Sequence, residues 1–113
     1  MRSRWTLTIR SGSQVERERI GSLEEALFAA RKRLLELEPG ARREPARALF
    51  REVAPDEQVA ARLELRGPRG RRGGVDLRGD GSVAAWTGLV SKRMLEPTRG
   101  EDALGALGRA LAA

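Results

Sequence analysis

The residues of this chain best suited to binding chemistry form an arginine- and glycine-rich stretch, Arg66-Gly67-Pro68-Arg69-Gly70-Arg71-Arg72-Gly73-Gly74. A guanidinium group binds phosphate through two parallel hydrogen bonds, and glycines let backbone amides approach the same anion. The stretch predicts salt-sensitive, sequence-independent binding of nucleic acid or another polyanion. The predicted contacts are Arg66, Arg69, Arg71, Arg72 and, in the following strand, Arg78. The alternative is a solvated hairpin loop whose charge opposes aggregation.

Residue types that commonly carry catalysis are missing. The sequence has no histidine, cysteine or tyrosine, which removes the commonest general base, the thiolate nucleophile and the usual zinc ligands. The serines, lysines and carboxylates that remain form no recognisable catalytic or metal-binding spacing. We therefore expect no enzymatic activity, no catalytic residue, and no metal, cofactor or small-molecule ligand.

The overall charge points to the same kind of partner. The chain has a formal net charge of +6 and a pI of about 11.3, which favours binding to nucleic acid or another polyanion. All its basic residues except Lys32 and Lys92 are arginines. A GC-rich genome would give the same bias through codon usage, so composition alone leaves a functional basic surface and a coding bias both open.

The first half of the chain predicts two strands and a helix. Apolar and polar residues alternate over 4–10, and the Glu/Arg alternation of 15–20 is typical of an exposed edge strand. Ser22 and Glu25 have the spacing of a capping box, and an apolar stripe follows at helical spacing until Pro39-Gly40. Residues 41–57 fit either a short helix, which we favour, or a strand.

The second half predicts three strands and a final helix. Residues 59–66 alternate, a further strand begins at Val75, and Asp80-Gly81 indicates a hairpin turn into a strand over 82–94. Leu104, Leu107 and Leu111 form the stripe of a helix over 101–113, in which Gly105 and Gly108 would allow close packing against the sheet.

These elements predict a single α+β domain over 1–113, in the order β-β-α-(α)-β-β-β-α. A mainly antiparallel sheet of four to five strands would carry two or three helices on one face. The other face would present charged side chains, namely Arg4, Arg10, Arg62, Glu64, Arg66 and Arg78. The sequence shows no secretion signal and no run of apolar residues long enough to span a membrane, so we expect a cytoplasmic protein.

Trp86 motivates a second functional hypothesis. On the strand over 82–94, it lies on the opposite face from Val83 and Ala85, and an exposed tryptophan often marks a protein interface. The charged edge strand over 15–20 and the small-residue final helix are also compatible with association. The alternative function is therefore a homo-oligomeric or protein-protein interaction module, with Trp86 as its interaction residue.

The element order from Leu23 onward, helix, three strands and helix, resembles the double-stranded-RNA-binding domain over about 90 residues. Gly67-Pro68 and the small-residue final helix are also similar. The likeness is one of element order, which does not by itself imply the family's binding of duplex RNA, and the family's lysine cluster is replaced here by Arg99-Gly100-Glu101-Asp102. Residues 73–82 and 85–88 also resemble small α+β proteins of GC-rich actinobacteria, a likeness that implies no function.

Overall fold

The computed structural model describes residues 4–41, 46–48, 51–53, 58–88 and 91–113. Eight strands and two α-helices lie within these ranges. The strands are β1 (Trp5–Ser11), β2 (Gln14–Ile20), β3 (Ala46–Ala48), β4 (Arg51–Val53), β5 (Val59–Arg66), β6 (Arg72–Arg78), β7 (Val83–Thr87) and β8 (Arg93–Met94). The helices are α1 (Leu23–Leu37) and α2 (Ala103–Ala112), and short 3-10 turns lie at Glu38–Gly40 and Pro68–Gly70.

Six strands form one antiparallel sheet in the order β2-β1-β5-β6-β7-β8, so the α+β architecture is confirmed. The expectation of four to five strands was too low, because the predicted strand over 82–94 divides in two. Gly88 has a φ of 131°, a conformation that favours glycine and turns the chain. Trp86 then pairs with Met94, so β7 and β8 form a hairpin.

The stretch 41–57 forms strands where the structure describes it. β3 and β4 pair with each other as a separate two-stranded sheet, so the short helix favoured from sequence is wrong for Ala46–Ala48 and Arg51–Val53. Residues 42–45, 49–50 and 54–57 lie outside the described residues. The segment was too short for apolar periodicity to separate the two states, and pairing between its own halves decided the outcome.

Both helices pack on the same face of the large sheet. The alternating Trp5, Leu7 and Ile9 of β1 join buried residues of both helices in one core. The α1 cap is confirmed, since Ser22 accepts a hydrogen bond from the backbone NH of Glu25 at 3.1 Å. Within the described ranges, no helix is long and apolar enough to cross a membrane.

The start of α2 ties the two helices together. Asp102 caps α2 by accepting from the NH of Gly105 at 2.8 Å, and its carboxylate also receives the guanidinium of Arg31 from α1. A Cβ added at Gly108 would lie 2.8 Å from a methyl of Leu27. The glycine therefore permits close packing of α2 against α1, whereas the sequence predicted close packing against the sheet.

One glycine of the sheet provides a stability test. A Cβ at Gly74 would collide with the carbonyl of Leu63 and lie 2.8 Å from Cζ2 of Trp86. We expect Gly74→Ala to lower the free energy of unfolding by about 1–3 kcal/mol in urea titrations, because neither neighbour can move cheaply. Gly40→Ala is the matched control, since no heavy atom lies within 4 Å of its added Cβ. Equal midpoints for the two variants would contradict this account.

A candidate nucleic-acid interface on the open face of the sheet

The face of the sheet opposite the helices carries most of the charged side chains of the strands. Because side chains alternate along a strand, the strand register fixes which of them share this face. We call this set the cationic face. Its members are Arg10, Arg17, Arg19, Arg62, Arg66, Arg72, Arg78 and Lys92, together with the two carboxylates Glu64 and Asp76.

Positive charge is concentrated on this side of the molecule. Among the residues that the structure describes, the cationic face has eight cations and two carboxylates. Residues 22–38 and 101–113, which include the two helices, carry four cations and six carboxylates. Several cations on that side are paired: Arg31 with Asp102, Arg33 with Glu16 and Arg109 with Glu101. Codon bias alone would not predict this segregation.

Like charges lie directly opposite each other on neighbouring strands. Arg10 of β1 faces Arg62 of β5, and Arg66 of β5 faces Arg72 of β6. Directly opposed like charges destabilise a sheet, whereas opposite charges at the same positions would stabilise it. Selection for folding stability alone therefore does not account for Arg10 and Arg66, and a bound anion would relieve their repulsion with the arginines opposite them.

Asp76 organises one half of the face. Its side chain is only 10% exposed, and it accepts two hydrogen bonds from Arg62, at 2.7 Å from Nε and 3.1 Å from Nη2. The indole Nε1 of Trp86 donates a third bond to it at 3.1 Å. The ammonium of Lys92 lies 4.0 Å from its second oxygen. Asp76 thus binds Arg62 of the neighbouring strand β5 and lies beside Lys92 of the turn between β7 and β8.

Trp86 is fully buried on this face. Its ring lies against Gly74, and three cations surround it: Arg62 at 5.6 Å, Arg72 at 5.3 Å and Lys92 at 4.7 Å from the ring centre. Burial lowers the pKa of the Lys92 ammonium, although the nearby Asp76 opposes that shift. The interaction role predicted for Trp86 assumed an exposed ring, and that assumption is wrong.

Glu64 lies at the centre of the face. Its carboxylate accepts a hydrogen bond from Arg72 at 2.9 Å and lies 3.8 Å from a guanidinium nitrogen of Arg66. Burial alone would raise the pKa of Glu64, but the Arg72 hydrogen bond and the charges of Arg72, Arg66 and Arg10 together lower it. Glu64 is therefore negatively charged at neutral pH.

The other half of the face has exposed cations. Arg10, Arg17 and Arg19 are all exposed on β1 and β2. Within the described part of the chain, no carboxylate lies within 4.0 Å of these guanidinium groups, whereas Arg62 and Arg72 are both paired. Because they have no partner there to displace, Arg10, Arg17 and Arg19 can contact an incoming anion directly.

The arginines predicted as a single loop site do not lie together. Arg66 and Arg72 are in strands and belong to the cationic face. Arg71 instead donates to the carbonyl of Leu111 at 2.9 Å, so it binds the end of α2. Arg69 is exposed at the tip of the turn with a φ of 62°. Arg78 ends β6, six residues from Arg72 and roughly 20 Å away along the strand.

Sequence reasoning placed Arg10, Arg62, Glu64, Arg66 and Arg78 on the open face, and the structure confirms this. It missed Arg17, Arg19, Arg72, Asp76 and Lys92. The period-2 alternation of β2 was visible in the sequence, so the face of Arg17 and Arg19 could have been found from it once β2 was paired with β1. Arg4, also predicted there, precedes β1 and lines a depression with Ser22 and Arg69 instead.

Two further observations bear on the identity of the site. No group of three or more acidic side chains among the described residues is placed to hold a metal ion. The resemblance to the double-stranded-RNA-binding domain stays a prediction. Searches against family models, curated proteins and solved structures found no match to this chain.

Proposed function

We propose that the protein is a non-enzymatic binder of nucleic acid, and that the cationic face contacts the phosphate backbone. The observation that carries the proposal is the one-sided charge: eight cations and two carboxylates share the open face in the described residues. Arginine forks bind phosphate oxygens bidentately, and clustered arginines release counterions when they neutralise a polyanion.

The proposed binding is independent of base sequence. Proteins that stack bases on a sheet use exposed aromatic rings, whereas Trp86 of this face is buried beneath cations. Phosphate contacts position a nucleic acid but carry no sequence information. We therefore expect affinity to depend on strand charge and salt concentration rather than on base composition.

The proposal is tested by fluorescence anisotropy with labelled duplex DNA, duplex RNA and single strands. Three phosphate contacts would weaken duplex binding by about 40-fold between about 50 and 200 mM salt, since each contact releases counterions. The preferred strand type tests the likeness to duplex-RNA-binding domains. Binding that does not respond to salt, or no binding at low salt, would contradict the proposal.

Glu64 gives a second prediction. We expect Glu64→Gln to bind nucleic acid a few-fold more tightly, because one repulsive charge leaves the face. The same variant should be less stable by about 1–2 kcal/mol at neutral pH, because the charged hydrogen bond to Arg72 is lost. Parallel anisotropy and urea titrations measure both effects.

The pH dependence provides the internal control for this variant. The pKa of Glu64 is lowered in the folded protein, so its stabilisation is present above the ordinary value of 4.5 and is lost as pH falls through the folded value. The stability difference between Glu64→Gln and the parent should therefore shrink below pH 4.5. If the stability difference between Glu64→Gln and the parent stayed constant down to low pH, the charge of Glu64 would not contribute to the stability of the fold.

The alternative is association with a protein partner, and one observation favours it. Phe28 and Leu35 of α1 are 71% and 62% exposed and lie seven residues apart, on one side of the helix.

Self-association through the β2 edge is disfavoured, however. Its Glu side chains share one face and its Arg side chains the other, so antiparallel self-pairing centred on the strand sets like charges against each other. Sedimentation at high concentration distinguishes a monomer from an oligomer.

A further inference from the structure

A depression lies on the cationic face where β2, β1 and β5 meet. It has a volume of about 240 Å³ and is lined by Thr6, Thr8, Arg10, Arg17, Glu64 and Arg66. The register places Thr8 between Arg17 on one neighbouring strand and Glu64 on the other, and Thr6 directly opposite Arg66. Three guanidinium groups and two hydroxyl groups therefore surround one small space.

Apart from Arg66, whose guanidinium lies 3.8 Å from the carboxylate of Glu64, the donors of this depression have no partner in the described part of the chain. Among these residues, no hydrogen bond engages the hydroxyl of Thr6 or Thr8, and no carboxylate lies within 4.0 Å of the guanidinium of Arg10 or Arg17. The side chain of Thr8 is 8% exposed, which places it at the floor of the depression. A ligand bound by Thr6, Thr8, Arg10 and Arg17 would therefore gain hydrogen bonds without displacing a partner among the described residues.

The charge of the site selects its ligand. Arg10, Arg17 and Arg66 contribute three positive charges, and Glu64, whose pKa is lowered, contributes one negative charge. The site therefore has a formal charge of +2. A phosphate monoester carries about −1.5 to −2 at neutral pH, whereas a phosphodiester within a strand carries about −1. The monoester is the closer match.

We propose that this depression binds one phosphate monoester, so that the protein prefers a nucleic acid strand with a phosphorylated end. This inference rests on the proposed function, because the remaining arginines of the face would bind the strand that follows. Arg10, Arg17 and Arg66 hold the phosphate oxygens, and the hydroxyls of Thr6 and Thr8 donate to them from below. The carboxylate of Glu64, opposite Thr8, repels the anion and so limits where in the depression it can lie. Inorganic phosphate offers the same chemistry without a strand.

The test compares two otherwise identical single-stranded oligonucleotides, one with a 5′-phosphate and one with a 5′-hydroxyl, and titrates inorganic phosphate separately by calorimetry. We expect the phosphorylated strand to bind about tenfold more tightly, because it adds charged hydrogen bonds. Thr8→Val and Arg17→Gln should abolish that preference, while Thr8→Ser should retain it. Arg19→Gln, on the same strand and face but outside the depression, should weaken both strands equally.

The outcomes separate this inference from the proposed function. Equal, salt-sensitive binding of both strands would overturn the monoester site and leave the proposed function standing. If neither strand binds, calorimetry decides: inorganic phosphate binding that Arg17→Gln removes would support the site, and its absence would overturn it. Urea titrations of Thr8→Val confirm that the variant is folded, since valine keeps the branched shape of threonine.

Discussion

The triple variant Arg10→Gln, Arg17→Gln and Arg66→Gln is expected to bind duplex nucleic acid at least about tenfold more weakly than the parent at low salt. Each arginine contributes one phosphate contact, so the slope of log affinity against log salt should fall by about 2.7. Arg10 and Arg66 also face other arginines across the sheet, so removing them should not lower the melting temperature. Anisotropy across a salt series and thermal melting measure the two effects.

A matched control separates position from net charge. Lys32, Arg93 and Arg99 are exposed, lie outside the cationic face, and can be changed together to glutamine with the same loss of charge. This control variant should keep most of its affinity for duplex nucleic acid, and its slope of log affinity against log salt should stay close to that of the parent. Equal losses in the two triple variants would mean that only overall charge matters, which would contradict the proposed interface.

Replacing Asp76 by alanine is expected to lower the free energy of unfolding by about 2–3 kcal/mol. The change leaves Arg62 and Lys92 without their carboxylate and the indole NH of Trp86 without an acceptor in a buried environment. Removing one partner of a largely buried ion pair costs about 3–5 kcal/mol, and Arg62 is 32% exposed, which reduces the effect. Urea titration followed by tryptophan fluorescence, to which Trp5 and Trp86 both contribute, measures the loss.

Two variants calibrate this result. Asp76→Asn keeps an acceptor for Trp86 but loses the charge, so its stability should lie between those of Asp76→Ala and the parent. Glu18→Ala removes an exposed carboxylate of β2 and should change stability by less than about 0.5 kcal/mol. If Asp76→Ala were as stable as Glu18→Ala, the interactions of Asp76 with Arg62, Lys92 and Trp86 would not contribute to the stability of the fold.

The alternation of residues within a strand predicted much of this architecture. It placed Arg10, Arg62, Glu64 and Arg66 on the open face because side chains of a strand alternate with a period of two. The capping box at Ser22 and the Asp80-Gly81 turn were also visible, since both depend on neighbouring residues alone. Sequence reasoning was sufficient for strands, caps and turns that are determined by residues close together in the chain.

Contacts between strands could not be read in the same way. The pairing of β1 with β5 brings together residues about 56 positions apart, and only the register reveals that Thr8 lies beside Glu64. The burial of Trp86 depends likewise on cations from β5, β6 and the β7–β8 turn. The arginines predicted as one loop site do not lie together, because Arg71, just before β6, and Arg72, its first residue, point to opposite faces of the sheet.

The most direct test of the cationic face is a titration of ¹⁵N-labelled protein with a short duplex, followed by amide and arginine Nε chemical shifts. We expect the largest changes on β2, β1 and β5, centred on Arg17, Thr8 and Arg66, and we expect added salt to reverse them. The amides of α1 and α2 should change little. Changes confined to the turn at 67–71, or to the helices, would contradict the account.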